Sequence, residues 1–260
     1  WAVSLGARYY DVEVDLIGSA RGGFGSKDNN GDGNMPAPDL NPTANNLTTL
    51  FSTAGAGPDK ATADGWIPKV SLSYTPTENR LYYATYSEGF RPGILNRPGG
   101  RVSGNYTVPY AVATDEVNNH ELGWKLTSDD RRLRFNGNAF FVEIEKLQTT
   151  IFDPSIANLF FSENAVDAEV YGLEGEFTYL PPNIEGLTLT GAFSLLDSEV
   201  KEVLVPTNDV ENGASLAYAP DLQLNFRARY EWELGNGMQA HFMPSLVYSD
   251  KQYSDIITIN

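Results

Sequence analysis

Between Leu222 and Leu234 the chain alternates without a break. Leu222, Leu224, Phe226, Ala228, Tyr230, Trp232 and Leu234 share one parity, and Gln223, Asn225, Arg227, Arg229, Glu231 and Glu233 share the other. Successive side chains of a strand point to opposite faces, so this segment reads as a strand with one apolar and one polar face. It is more than twice as long as a typical soluble-protein strand of about five or six residues. That length suits a strand that crosses a bilayer at a tilt and continues past it. The apolar face ends on Tyr230 and Trp232, residue types that favour the membrane–water interface.

Similar alternation recurs along the 260 residues. Trp1, Val3, Leu5, Ala7 and Tyr9 form one face. The phase then passes to Val12, Val14 and Leu16, which a bulge near Tyr10 would explain. Trp66 to Tyr74, Leu81 to Phe90, Leu122 to Leu126, Leu133 to Phe141, Tyr171 to Tyr179, Leu187 to Leu195 and Met238 to Tyr248 continue the series. Past Phe141 the apolar phase again shifts, to Val142 and Ile144. Short turns are expected near 75–80, 128–131, 181–186 and 235–237. Long loops are expected near 18–62, 91–114, 153–165 and 204–218. Tight turns at one end and long loops at the other are the plan of an outer-membrane barrel. The expected fold is all-β: an antiparallel transmembrane β-barrel wall of about nine long strands belonging to a larger barrel.

Composition narrows the function. No apolar run is long enough for a transmembrane helix, and a mean hydropathy of -0.32 is compatible with strands whose polar and apolar faces average out. A net charge of -16 argues against a nucleic-acid partner. The absence of cysteine excludes disulfides and thiolate metal sites. Trp66, Tyr74, Trp124, Tyr179, Tyr230 and Trp232 lie on apolar faces near strand ends and are expected to point outward at the two membrane interfaces, with outer-membrane lipid as their partner.

Polar side chains offer few sites. Asp28, Asn30, Asp32 and Asp39, with Gly33 between them, are spaced like the oxygen ligands of a Ca²⁺ loop. The same string reads equally as a polar loop, with Asp for the usual terminal Glu and Pro36 at a ligand position. No other cofactor is expected. Glu174, Glu176, Arg227, Arg229, Glu231 and Glu233 could line a solute path or simply a wet wall. Paired carboxylates serve glycosidases, but here they sit two apart on strands without a pocket signal, so no catalytic residue is assigned and no enzyme is expected. His120 and His241 stand far apart in sequence and read as structural or lumen-facing.

Three strings, in order, resemble the barrel of TonB-dependent outer-membrane receptors. In NRLYYATYSEGFRPGILNRPG, Tyr83, Tyr86, Ser87, Gly89, Phe90, Arg91, Pro92, Gly93 and Asn96 fit the family's strand–loop signature. Glu121, Gly123, Lys125, Asn138, Phe140 and Gln148 fit the next two strands. Asn164, Ala165, Ala168, Gly172, Glu174 and Glu176 fit the segment after them. The resemblance covers about residues 63–250. It implies a bacterial outer-membrane location and uptake of a scarce small-molecule solute, such as an iron–siderophore complex. It also implies a plug domain in the lumen and energy supplied through TonB. The family's loop position makes Arg91, Pro92, Asn96 and Arg97 the expected ligand-contacting residues. The TonB box, the plug and a final strand ending in an aromatic residue are not in the sequence. The chain also begins in mid-pattern without a signal peptide, so residues 1–260 are expected to be one partial barrel domain of a longer protein. A passive porin-like or adhesin barrel would share the alternation, as would a soluble β-sandwich binding module.

Overall fold

The structure is a computed structural model, and it describes residues 1–15, 60–96, 102–103, 106–153, 157–207, 209–235 and 237–256. The described elements are strands: β1 (Ala2–Asp15), β2 (Lys60–Thr77), β3 (Arg80–Arg91), β4 (Val102–Ser103), β5 (Tyr106–Thr107), β6 (Asp115–Thr127), β7 (Leu133–Asp153), β8 (Ala157–Tyr179), β9 (Leu187–Val203), β10 (Leu222–Glu233), β11 (Gln239–Phe242) and β12 (Ser245–Ser249). Ten of them form one sheet in the order β1-β2-β3-β6-β7-β8-β9-β10-β11, with β12 also on β10. Every pairing is antiparallel. β4 and β5 make a small separate ribbon between β3 and β6. Eight strands are long, and β11 with β12 makes a ninth, interrupted at Met243–Pro244. Proline has no N–H to give the ladder; its carbonyl still accepts from Ala228 N at 3.1 Å.

Pairing register decides which residues share a face. Leu5, Val70, Tyr86, His120, Phe141, Tyr171 and Asp197 lie opposite one another from strand to strand. The next row toward the short turns is Val3, Leu72, Ala84, Leu122, Ala139, Leu173, Leu195 and Leu222. That face is apolar yet uncovered, with Leu5 76 %, Trp66 67 % and Leu122 64 % exposed. An apolar surface this wide marks contact with another phase or partner. The opposite face carries Lys69, Ser71, Lys125, Arg134, Asn136, Glu174, Glu176, Asn225 and Arg227.

The expected bulge at Tyr10 is absent. β1 and β2 pair residue for residue from Ala2↔Ser73 to Asp15↔Lys60. The phase changes because the faces exchange chemistry there. Beyond Tyr9 the formerly apolar face carries Asp11 and Glu13, and beyond Trp66 it carries Asp64. On the following strands the same face turns polar along the row Glu88, Asn118, Glu143, Glu169 and Glu199. The opposite face turns apolar at the same level, through Val12, Val14, Val142, Ile144, Val170 and Val200. β1 and β2 stay paired residue for residue through the level where one face turns from apolar to polar and the other from polar to apolar. A true irregularity lies further along, between Ile144 and Leu147, where Lys146 takes a φ of 55°.

The loop expected over 153–165 is also corrected. β7 runs to Asp153 and β8 starts at Ala157, with Asp153 opposite Ala157. Three register shifts in this hairpin, between Ile144 and Asp153, scramble the parity by which a strand is recognised. The short turns occur as expected. Thr77↔Arg80 closes the first, and Arg131 (φ 57°), Gly186 (φ 80°) and Gly237 (φ 78°) supply left-handed positions in the other three. Of the segment expected to loop over 18–62, Lys60 onward belongs to β2 and 18–59 lies outside the described residues.

Candidate functional site

The buried part of the chain lies at the end of the sheet away from the short turns. Val108, Ile151, Phe161, Ala165, Val166, Val200, Val205, Val210 and Ile256 form one cluster. Its members come from the β7–β8 hairpin, β9, and the segments 106–113, 204–221 and 250–256. The connections at this end therefore fold down onto the strands and one another.

A polar clamp fixes the segment that leaves β3 at Arg91 and enters β6 at Asp115. The Asp115 carboxylate is 2 % exposed. It accepts from Arg91 Nε at 2.9 Å, from the Arg91 Nη2 group, from Arg91 N at 3.1 Å and from Gln148 N at 3.2 Å. Arg91 Nη2 also donates to the Gln148 carbonyl at 2.7 Å. Gln148 Nε2 reaches the carbonyls of Arg91 (3.2 Å), Pro92 (3.0 Å) and Ala113 (3.0 Å). Asn96, 3 % exposed, donates from Nδ2 to Pro109 O (2.9 Å) and Ser162 O (2.6 Å) and accepts from Ser162 N at 2.8 Å. Asn164 holds the other end: Oδ1 accepts from Ala113 N at 2.7 Å, and Nδ2 donates to Ala113 O (2.9 Å) and Lys146 O (2.7 Å). Gly93 lets the two arms meet, since a Cβ there would lie 2.3 Å from Val112 O. Irregular backbone needs partners when it is buried, and these three amides supply them.

The middle of the segment is fastened differently. The Tyr106 ring packs on Phe161, with centroids 5.8 Å apart, and its hydroxyl donates to Glu163 Oε2. Burial, then the bond to Glu163, pushes the Tyr106 hydroxyl above the ordinary tyrosine range. Burial raises the Glu163 carboxyl against the opposing pull of its bonds from Tyr106 and Asn164 N.

The polar face nearer the short turns forms a shallow groove of about 390 Å³ among Arg134, Asn136, Glu176, Thr190, Asn225 and Arg227. Asn136 donates to Glu176 at 2.9 Å and Ser194 lies 3.3 Å from Glu174. Arg229 pairs with Glu231 two residues on, so this wall neutralises part of its own charge.

The structure separates the expected site residues into groups. Arg91, Pro92 and Asn96 come together in the clamp, where the Asn96 side chain is turned inward. Arg97 and the spaced set Asp28, Asn30, Asp32 and Asp39 lie outside the described residues. Among the described residues no group of three or more His, Asp or Glu is placed to hold a metal. His120 lies 3.9 Å from Glu143, and His241 sits on β11 opposite Glu231. Trp66, Tyr74, Trp124, Tyr179, Tyr230 and Trp232 all fall on the single apolar face. Asp115, Tyr106 and Glu163 had no sequence signal, because their partners are distant in the chain.

Comparison with known proteins agrees with this geometry. The family described as TonB dependent receptor-like, beta-barrel matches residues 1–258. A probable TonB-dependent siderophore receptor, PiuA, of Acinetobacter baumannii is 24% identical over 217 residues, covering 79% of this chain and 27% of that protein. The structure of BauA, the ferric preacinetobactin receptor of Acinetobacter baumannii, superposes with a TM-score of 0.56 at 22% identity, covering 77% of this chain and 28% of that one. FyuA, the ferric yersiniabactin uptake receptor of Yersinia pestis, gives 0.52 at 17% identity, covering 72% and 26%. The chain thus spans about a quarter of the length of these relatives.

Proposed function

Because the chain belongs to the TonB-dependent receptor β-barrel family, whose members reside in the outer membrane, we propose that residues 1–260 are part of the barrel wall of an uptake receptor for a scarce chelated metal, an iron–siderophore complex being the favoured solute. The observation that carries this reading is the outer end of the sheet. Its described connecting segments, 92–96, 106–114, 204–207 and 209–221, are built into a packed, clamped surface, whereas the described connections at the other end are bare turns. A passive pore has no need of so much ordered loop structure at one rim.

In this reading the polar face borders a plug domain supplied by the rest of the protein, and TonB provides the energy. Arg91 and Asn96 serve capture by holding segment 92–113 in place, while the loop's free surface meets the solute. The relatives with siderophore names support the choice of solute class.

The test uses the complete receptor. A deletion strain, starved of iron, should regain growth on a panel of ferric siderophores only when the receptor gene and TonB are both present. Uptake that persists without TonB would favour a passive barrel instead.

A further inference from the structure

On the polar face, near the short-turn end, four residues stand opposite one another on adjacent strands. Arg134 of β7 pairs with Thr178 of β8, Thr178 with Thr190 of β9, and Thr190 with Arg227 of β10. Three interstrand steps of about 4.8 Å set the two arginine backbones roughly 14 Å apart. In the next row Ala192 stands between Glu176 and Asn225, and its small side chain helps to open the groove of about 390 Å³ that all four residues line. The neighbouring polar groups satisfy one another. Glu176 accepts from Asn136, and Arg229 is held by Glu231. Arg134 and Arg227 are exposed, and among the described residues neither guanidinium has an ion-pair or hydrogen-bond partner.

We propose that Arg134 and Arg227 are twin anchors for one acidic stretch of the plug domain, laid across β7 to β10 with Thr178 and Thr190 beneath its backbone. This rests on the reading of the chain as one side of a plugged barrel. Charge carries the argument. A chain with a net charge of -16 has carboxylates in excess, so two arginines on its wall that engage none of them are free for carboxylates from elsewhere. The one carboxylate lining the groove, Glu176, is taken by Asn136 instead. A guanidinium meets a carboxylate through two parallel hydrogen bonds, which fix orientation as well as position. Hydroxyl groups both donate and accept, so Thr178 and Thr190 suit a peptide backbone passing between the anchors. About four residues of extended chain cover that distance.

The experiment uses the full-length receptor. Amide exchange of the plug is followed by mass spectrometry in the wild type, in Arg134→Gln with Arg227→Gln, and in Arg134→Lys with Arg227→Lys. Heat-modifiable electrophoretic mobility reports that each variant is a folded barrel. One plug stretch holding at least two Asp or Glu residues should exchange about tenfold faster in the glutamine variant, with the rest of the plug unchanged. The lysine variant keeps the charge and should lose less of that protection. Arg134→Glu with Arg227→Glu, set against arginines at the stretch's own carboxylates, should restore it. Unchanged plug protection in the folded glutamine variant, or faster exchange only in a stretch without carboxylates, would overturn the proposal and leave the receptor reading intact. Unchanged plug protection with weaker capture of an anionic solute would assign the arginines to the solute and overturn it equally. A wild-type receptor that takes up its solute without TonB would overturn both.

Discussion

Gln148 is the side chain on which the outer segment turns, since its one amide nitrogen lies within reach of three carbonyl oxygens from both arms of that segment. Gln148→Leu keeps the size but leaves those acceptors without a donor, at about 1–3 kcal/mol for each that stays dry. Amide exchange across 92–96 and 106–113 of the complete receptor should accelerate, with barrel assembly unchanged; protection equal to wild type would remove Gln148 from this role. Glu163 makes the same segment respond to pH. Its carboxyl is raised by burial, so the docked state binds the proton more tightly than the undocked one. Docking is therefore strongest below the ordinary carboxyl value of 4.5 and weakens as pH rises through the raised value. Glu163→Gln should hold the segment closed at neutral pH and flatten this dependence, measured as exchange protection corrected for intrinsic rates. The sequence displayed some of this and hid the rest. Arg91, Asn96, Gln148 and Asn164 stood out through the family's strings, and the hydrogen bonds their side chains make in the structure are to the chain itself. Asp115 and Glu163 look like ordinary surface carboxylates until the strands bring Arg91 and Tyr106 against them.

Within single strands, side-chain parity carries most of the information, and it served well where both faces have fixed surroundings. From Leu222 to Glu233 the sequence and the register agree at every residue. Parity failed where the surroundings change along the strand: at Tyr9, where it mimics a bulge, and in the β7–β8 hairpin, where register shifts remove it. Packing between strands adds a feature that no single strand displays. The Trp124 ring crosses the site of a Gly137 side chain, where a Cβ would come within 2.5 Å, and Phe177 does the same over Gly191 at 2.4 Å. Such ring-on-glycine contacts fix register where burial from water cannot. The assignment of faces has a direct test. Leu224→Arg or Phe226→Arg puts a charge on the lipid side at a cost of about 2–4 kcal/mol at mid-bilayer, while Arg227→Leu changes only the lumen side. Folding yields into lipid vesicles should drop for the first two and hold for the third; equal yields would reverse the faces.

Seen whole, the chain is electrically lopsided. Divided where the apolar face turns polar, the sequence stretches 11–64, 88–118, 143–169, 197–221 and 250–260 together hold 25 of the 34 acidic and 9 of the 18 basic residues. That balance equals the full net charge of -16, and the rest of the chain is neutral. Charge density of this kind resists being drawn into hydrocarbon, so the outer end acts as a stop. Segments 16–59 and 92–114 both depart from that end, since Asp15↔Lys60 and Arg91↔Asp115 close it. Shortening 91–114 in the complete receptor should weaken solute binding and spare assembly; unchanged affinity would exclude this loop from capture. The level at which the faces exchange chemistry also sets a length. On β7, β8 and β9 the apolar stretch runs from Leu133 to Phe141, Tyr179 to Tyr171 and Leu187 to Leu195, the same interval each time. At about 3.4 Å per residue it spans roughly 27 Å along the strand, or about 20 Å across the membrane at a tilt near 45°. The barrel wall is thus a gauge for thin bilayers, and its folding should proceed faster and further in short-chain phospholipid than in long-chain, as thickness mismatch grows.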